Sequence, residues 1–403
     1  MWLDENGGIA GGKRGRGSLV LPSLVVTRFT LGTPSLLVSL LLIEIGATFG
    51  QSVGATGQIS TVSSVAAFVG ALTMGVLSMR YRHKHLLLAG TTLFAIAAVG
   101  CALSPLFSIM VAFYALGGLG ASMAIPMTST MVGELYPISE RASVMGYLLA
   151  SGALSYVIGA PVITFVAGFG GWRTAFLVFV VPLVALGTVL SYLGIPSVPS
   201  GEEASAGGRG VGEGFREVLL NRSAVACLLG SALNAACWQA IVFYSASFVR
   251  QTFQVSAGFA SLYIIGGASI YSVGSLVSGR IINRFGRNRT TVVMSVLAGA
   301  FTLLYCNVPD LWISTAMAYV ASLFTGFRSS ASGSLTLEQV PEYRGTMMSV
   351  SSATGNIGVA LGAGLGGLML LWYDYSALGI ALGGAGVAAS LLFQLLVREP
   401  KEL

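Results

Sequence analysis

The chain of 403 residues is strongly apolar: 54% of its residues are hydrophobic and only 9% are charged. A soluble globular protein carries about 25% charged residues, so a soluble fold is excluded and an integral membrane protein is indicated. The net charge of +6 does not indicate a nucleic-acid partner, because the basic residues fall in short loops between apolar runs. Two histidines and four scattered cysteines give no metal-ligand cluster, and we expect neither a metal nor a cofactor.

Twelve apolar runs follow along the chain. A spanning helix needs about 20 apolar residues, and the runs lie at 34–54, 59–79, 86–104, 106–130, 142–167, 172–194, 221–248, 258–279, 290–308, 311–334, 345–370 and 376–397. The predicted organisation is a disordered or interfacial segment, a six-helix bundle, a cytoplasmic linker rich in Pro, Gly and Ser, a second six-helix bundle and a tail, at 1–33, 34–195, 196–220, 221–397 and 398–403.

The distribution of basic residues predicts the orientation. With the amino terminus in the cytoplasm, eighteen of the 21 Lys and Arg residues face inside, Arg173 and Arg250 face outside, and Arg328 lies within a span. Positive residues favour the cytoplasmic side. We therefore expect a multi-pass protein of the cell membrane with both termini in the cytoplasm.

The two halves carry matching segments after their fourth helices, GELYPISERASVMGY and LEQVPEYRGTMMSV. The spacing is 338 − 134 = 204 residues, and the matched pairs are Glu134 with Glu338, Pro137 with Pro341, Arg141 with Arg344 and Met145 with Met348. Such a repeat predicts two pseudo-symmetric bundles. We expect the Glu and Arg residues of both copies to form ion pairs of a cytoplasmic gate that stabilise an outward-open state.

A second matched segment carries a family resemblance. GRIINRFGRNR resembles the loop between helices eight and nine of the major facilitator superfamily, with motif residues Gly279, Asn283, Arg284, Gly286 and Arg287. Asparagine replaces the usual acid, and the first-half copy departs further from the pattern. The arginines either contact lipid phosphates, latch helix ends or only determine topology.

The segments GWRTAFLV and GAP, at 171–178 and 159–161, are similar to the drug-efflux and antiporter branches of that superfamily. The resemblance implies an all-α integral membrane fold of 12 transmembrane helices in two bundles, with a central cavity lined by helices one, four, seven and ten. Many proton-linked drug exporters carry an arginine in helix four where this chain has Tyr114, so proton coupling must come from another residue.

Two charged residues fall within predicted spans: Glu44 in the first and Arg328 in the tenth. A charge at a helix centre costs about 2.5–3.5 kcal/mol on insertion scales. By the resemblance, both residues share the central cavity. Glu44 is then a proton-coupling or cation-binding carboxylate, or else a protonated side chain that only joins two helices. Arg328 either binds substrate or extends to the membrane interface.

Further cavity candidates are Tyr114, Asn234, Trp238, Gln239 and Tyr319. Tyrosine and tryptophan combine an apolar ring with one polar group, which suits amphipathic ligands, although packing is an alternative role for each residue. The glycines at 358, 362 and 366 indicate close helix packing. We expect the two halves to meet through helices five and eleven.

The sequence therefore predicts a secondary transporter and not an enzyme. Its partners are a small-molecule solute, protons and membrane lipids, with no nucleic acid, and we expect a monomer. The leading function is proton-coupled efflux of amphipathic or cationic compounds by alternating access. The alternatives are a proton-linked or facilitative metabolite carrier, with an organic anion held by Arg328, and a non-transporting receptor or scaffold.

Overall fold

The fold is helical throughout the part of the chain that the computed structural model describes, residues 19–136, 138–196, 211–340 and 343–398. The side chains of Arg141 and Arg344 lie outside this description, as do residues 1–18 and most of the linker. The helices are α1 Val20–Leu40, α2 Leu42–Phe49, α3 Val53–Arg80, α4 His83–Leu103, α5 Phe107–Leu135, α6 Ile138–Ala175, a π-helical turn Phe176–Val180, α7 Val181–Gly194, α8 Val211–Leu220, α9 Arg222–Phe253, α10 Ala257–Phe285, α11 Arg287–Asn307, α12 Leu311–Glu338, α13 Arg344–Trp372 and α14 Tyr375–Leu396.

These helices form twelve membrane spans, as predicted. Ten stretches of the described residues are long and apolar enough to cross a membrane. One of them, Val144–Gly194, has 51 residues and holds two spans, because Gly170 and Gly171 break the helix and Gly171 has a φ of 75°. The remaining span is α12, whose run RSSASGS lowers its hydropathy. The twelve spans form two six-helix bundles.

The first span begins at Val20, which is 34 − 20 = 14 residues earlier than predicted. It runs through α1 and α2 to Phe49, with a break at Leu41. Its hydroxyl side chains concealed it, yet they are buried: Thr27 Oγ1 donates to the Gly187 carbonyl at 3.2 Å. The expectation of a disordered or interfacial segment is therefore wrong for residues 20–33. The predicted disorder of residues 1–18 concerns residues outside the description.

The twelve spans alternate in direction because turns or short connections join most of them. We call the end where α1 begins and α14 ends the linker end, and the opposite end the distal end. The short amphipathic helix α8 lies at the linker end, where its Val218 packs with Leu228, Val340 and Met347 of the second bundle.

The two bundles meet through α3 against α13, α6 against α10 and α1 against α9. Gly54 is required there, since a Cβ at this position would lie 2.5 Å from the Gly367 carbonyl oxygen. Gly362 has a different role from the one expected. A Cβ on it would lie 2.1 Å from the Ala236 carbonyl oxygen of α9. It therefore packs α13 within the second bundle and not against the first.

Candidate functional site

Two cavities lie side by side between the bundles and share Gln239 as a lining residue. The first, of about 280 Å³, is the aromatic lobe, lined by Tyr156, Trp238, Tyr263, Tyr271 and Tyr319. The second, of about 240 Å³, is the serine lobe, lined by Ser35, Ser60, Ser63, Ser64 and Tyr114. Tyr156 of the first bundle borders the aromatic lobe, and Gln239 of the second borders the serine lobe. The site is therefore built by both bundles.

Two ring pairs shape the aromatic lobe. Trp238 of α9 stacks on Tyr271 of α10 with ring centroids 4.6 Å apart and planes 23° apart. Tyr263 and Tyr319 form a tilted pair at 5.8 Å. Among the described residues, neither the Trp238 indole N–H nor the Gln239 side-chain amide has a hydrogen-bond partner. These groups remain available to a solute in the cavity.

The serine lobe is lined by hydroxyl groups on the inner face of α3. Ser60 and Ser64 are one helical turn apart and are both buried. Across the lobe, the Tyr114 hydroxyl is hydrogen-bonded to Ser35 of α1. None of the described residues lining either lobe carries a formal charge. The site thus offers rings, hydroxyl groups and one amide.

Four of the predicted cavity residues line the lobes: Tyr114, Trp238, Gln239 and Tyr319. Glu44 does not, and its predicted position near the middle of a span is wrong. It lies on α2, five residues before the distal end of the first span at Phe49. The error follows from the earlier start of that span, which moves its centre toward the linker end.

Glu44 forms a bidentate ion pair with Arg250 at the distal end of α9. Arg250 Nη1 donates to Glu44 Oε2 at 2.9 Å and Nη2 donates to Oε1 at 2.6 Å. Arg250 also donates to the Leu40 carbonyl at 3.3 Å. The pair joins the two bundles directly and forms part of their closed distal contact.

Arg328 is buried in α12, with only 4% of its surface exposed, and it does not line either lobe. Its Nη2 donates to the Asn234 carbonyl oxygen at 3.2 Å. Asn234, another predicted cavity residue, is buried too, and its side-chain oxygen has no partner among the described groups. The exposure is inconsistent with a side chain that extends to the membrane surface.

Arg28 is a second basic residue inside a span, which the predicted start of the first span had hidden. It lies in α1, and its Nη1 is buried without a hydrogen-bond partner in the described part of the chain. The interior of the described bundles therefore holds two guanidinium groups with no carboxylate partner, Arg28 and Arg328.

At the linker end, equivalent ion pairs occur in both bundles. His83 contacts Glu134 in the first bundle, and Arg287 contacts Glu338 in the second. Each member of the second pair lies 204 residues after its counterpart, since 83 + 204 = 287 and 134 + 204 = 338. The predicted pairing of these glutamates with Arg141 and Arg344 involves side chains outside the description. The structure instead shows the glutamates joined to the starts of α4 and α11.

The predicted loop motif divides into parts with different surroundings. Gly286 forms the turn between α10 and α11 with a φ of 83°, which favours glycine. Arg287 joins Glu338, whereas Asn283 and Arg284 are exposed at the end of α10. Gly279 faces open space. In the first half, Arg82 occupies the position of Gly286 with a φ of −62°, so its turn does not require glycine.

Sequence reasoning missed Arg250, His83 and the tyrosines at 156, 263 and 271. Arg250 could have been noticed as one of only two basic residues expected on the outer side. His83 could have been found by applying the 204-residue repeat to Arg287. The tyrosines carry no comparable signal, because a tyrosine within an apolar run is as compatible with packing as with a cavity.

Twelve spans in two pseudo-symmetric bundles, with a cavity between them, define the architecture of a membrane solute carrier. The sequence profile of the Major Facilitator Superfamily matches residues 24–271 and 248–403. The chain belongs to this superfamily, as its motifs predicted, and is a membrane transport protein.

One relative is the uncharacterized MFS-type transporter YwfA of Bacillus subtilis (strain 168). It is 24% identical over 381 residues, which cover 93% of this chain and 91% of the relative.

Solved structures of similar fold include an inward-facing, unoccupied bacterial homolog of the human lysosomal transporter Spinster, with a TM-score of 0.75 at 17% identity over 95% of this chain and 96% of that one. A D-xylose-proton symporter gives 0.74 at 17% over 95% and 98%. A point mutant of the nucleoside transporter NupG gives 0.76 at 14% over 93% and 99%. At these identities the likeness concerns the fold alone.

Proposed function

We propose that the protein moves a small organic solute across the cell membrane by alternating access to the two-lobed cavity. The observation that carries this proposal is the position of that cavity between two bundles that are tied together at one end. Rocking of the bundles about a central site would expose it first to one side and then to the other.

The polar side-chain contacts between the bundles support a closed distal end. In the described part of the chain, they are the Glu44–Arg250 pair with its bond to Leu40, the bonds from Ser39 Oγ to the carbonyl oxygens of 242 and 243, and the bond from Gln58 Nε2 to the carbonyl oxygen of 364. All of them lie in the distal parts of their helices. Opening the distal end would require these contacts to break.

The distribution of basic residues places the linker end in the cytoplasm, and hence both termini. The conformation would then be closed toward the outside. The ion pairs of His83 with Glu134 and of Arg287 with Glu338 join helix ends within each bundle. We propose that they brace the linker end as the bundles move.

Proton coupling through Glu44 is retained in a changed form. Protonation would remove the charge that holds Arg250 and would favour opening of the distal end. Efflux is the direction that the similarity to drug-efflux branches favours, and the aromatic lobe suits an amphipathic solute. A cationic solute has no carboxylate partner among the described residues of either lobe.

A ligand screen with a site-specific control tests the proposal. Purified protein is screened for thermal stabilisation by a library of small organic compounds, in parallel with Gln239→Ala, which alters both lobes. Compounds that stabilise only the unaltered protein are then tested, as radiolabelled solutes, for counterflow in proteoliposomes. We expect counterflow above that of protein-free liposomes. Stabilisation that is equal in both proteins, or an absence of counterflow, would contradict the proposal.

A further inference from the structure

We propose that the aromatic lobe binds an organic anion with a flat ring, whose negatively charged group is directed toward Arg328. This inference rests on the proposed function and adds the chemical class of the solute. It assigns to Arg328 the role of counter-charge and to the aromatic lobe the recognition of the ring.

The first step is electrostatic. Arg328 is buried and makes no ion pair with any described residue; the ion pairs seen are those of Glu44, Glu134 and Glu338 with other partners. A buried charge without a counter-charge carries a large desolvation cost. An anionic solute would supply the missing charge.

The second step is location. The Arg328 guanidinium is hydrogen-bonded to the carbonyl oxygen of Asn234, one helical turn before Trp238 on α9. Two residues before Arg328, Gly326 packs so closely on α10 that a Cβ there would lie 2.3 Å from the Tyr271 carbonyl oxygen. Trp238 and Tyr271 are the stacked pair of the aromatic lobe. Arg328 therefore lies beside the wall that these two rings form.

The third step is the shape of the solute. A cavity of about 150 Å³ is enough for a single benzene ring, so the aromatic lobe, at about 280 Å³, has room for one ring and a short substituent. Five aromatic side chains line it, and such rings pack well against a flat ring. A guanidinium presents a planar fork that fits a carboxylate. An aromatic carboxylate combines these features.

The sign of the charge is selected by the same arrangement. A cation would be repelled by Arg328 and would find no carboxylate among the described lining residues. A neutral solute would leave the guanidinium without a counter-charge. We therefore expect solutes of one skeleton to bind in the order carboxylate, amide, ammonium.

Three probes of matched skeleton test the inference: 3-phenylpropanoate, 3-phenylpropanamide and 3-phenylpropylammonium. Their dissociation constants for the purified full-length protein are measured by titration calorimetry. We expect the carboxylate to bind at least tenfold more tightly than the amide, and the ammonium probe not to bind. Arg328→Gln should weaken carboxylate binding at least tenfold and change amide binding less than twofold, and Arg328→Lys should give an intermediate loss.

Arg28→Gln is the matched control, since it also removes a guanidinium without a carboxylate partner, but from the other bundle. It should change carboxylate binding less than threefold. If Arg328→Gln does not fold, Arg328→Lys and the order of the three probes on the unaltered protein decide the question. Equal or reversed affinities of the probes, no saturable carboxylate binding, or equal effects of the two glutamine variants would overturn the inference. Alternating access itself is tested without any ligand, by cysteine accessibility, so the two proposals can fail separately.

Discussion

Glu44→Gln should open the distal end of the protein. The substitution keeps the shape of the side chain and removes the charge that pairs with Arg250. Glu44 and Arg250 side chains are 34% and 17% exposed, so solvent weakens the pair. Between the about 0.2–1 kcal/mol of exposed pairs and the about 1.5–3 kcal/mol of charged hydrogen bonds, we expect a loss of about 1–2 kcal/mol. Because the pair forms only when the bundles meet, this loss shifts the closed-to-open ratio by about 5- to 30-fold.

Distance measurement between spin labels detects this shift. Pro105→Cys and Pro309→Cys place labels at exposed, repeat-equivalent positions of the distal loops, since 105 + 204 = 309, and the four native cysteines are buried. We expect a longer distance to gain population in Glu44→Gln. Arg250→Gln should have the same effect, and the double variant should add little to either. An unchanged distance distribution in both single variants would refute the assignment of this pair to a gate.

Two further predictions concern packing and the linker end. Gly362→Ala should lower the free energy of unfolding by about 1–3 kcal/mol, because its Cβ would meet the Ala236 carbonyl oxygen at 2.1 Å; Gly384→Ala, where nothing lies within 4 Å, is the matched control, and equal melting temperatures of the two variants would contradict the packing. His83→Arg should raise the melting temperature more at pH 8.5 than at pH 5.5, since a guanidinium stays charged beside Glu134 whereas an imidazole is charged only when protonated; an effect independent of pH would show that the ion pair contributes nothing.

The number of spans was predictable from hydropathy because the bilayer thickness sets a minimum apolar length. The start of the first span was not predictable in this way. Thr27 and Ser23 are polar by composition, but their hydroxyl groups bond to carbonyl oxygens of α7 and so are satisfied within the bundle. Arg28 then appeared to end the apolar run, although it lies within α1.

The position of Glu44 shows a second limit of sequence analysis. The depth of a residue in the membrane was inferred from the ends of its span, so an error of 14 residues at one end moved the inferred centre. Its partner Arg250 is 206 residues away in the sequence. Only the packing of α1 against α9 brings the two together.

The candidate cavity was predicted best where the family resemblance and the residue chemistry agreed. Trp238, Gln239 and Tyr319 line it, whereas Asn234 is turned into the packing around Arg328. A helical face identifies neighbouring positions but does not say which of them reaches a cavity. That depends on how closely the next helix approaches, as Gly326 does on α10.

Cysteine accessibility tests alternating access most directly. In a variant without the native cysteines, Ser322→Cys places a thiol in the aromatic lobe. Thr61→Cys with Gly364→Cys permits a disulfide across the bundles, since a Cβ at Gly364 would lie 3.3 Å from Thr61 Cγ2. A membrane-impermeant maleimide is applied to either side of oriented vesicles.

Without the disulfide, we expect the reporter thiol at position 322 to react from both sides. With the disulfide formed, it should react only from the linker end, and reduction should restore reaction from the distal side. Reaction from the distal side that persists with the disulfide in place, or that never occurs without it, would contradict alternating access.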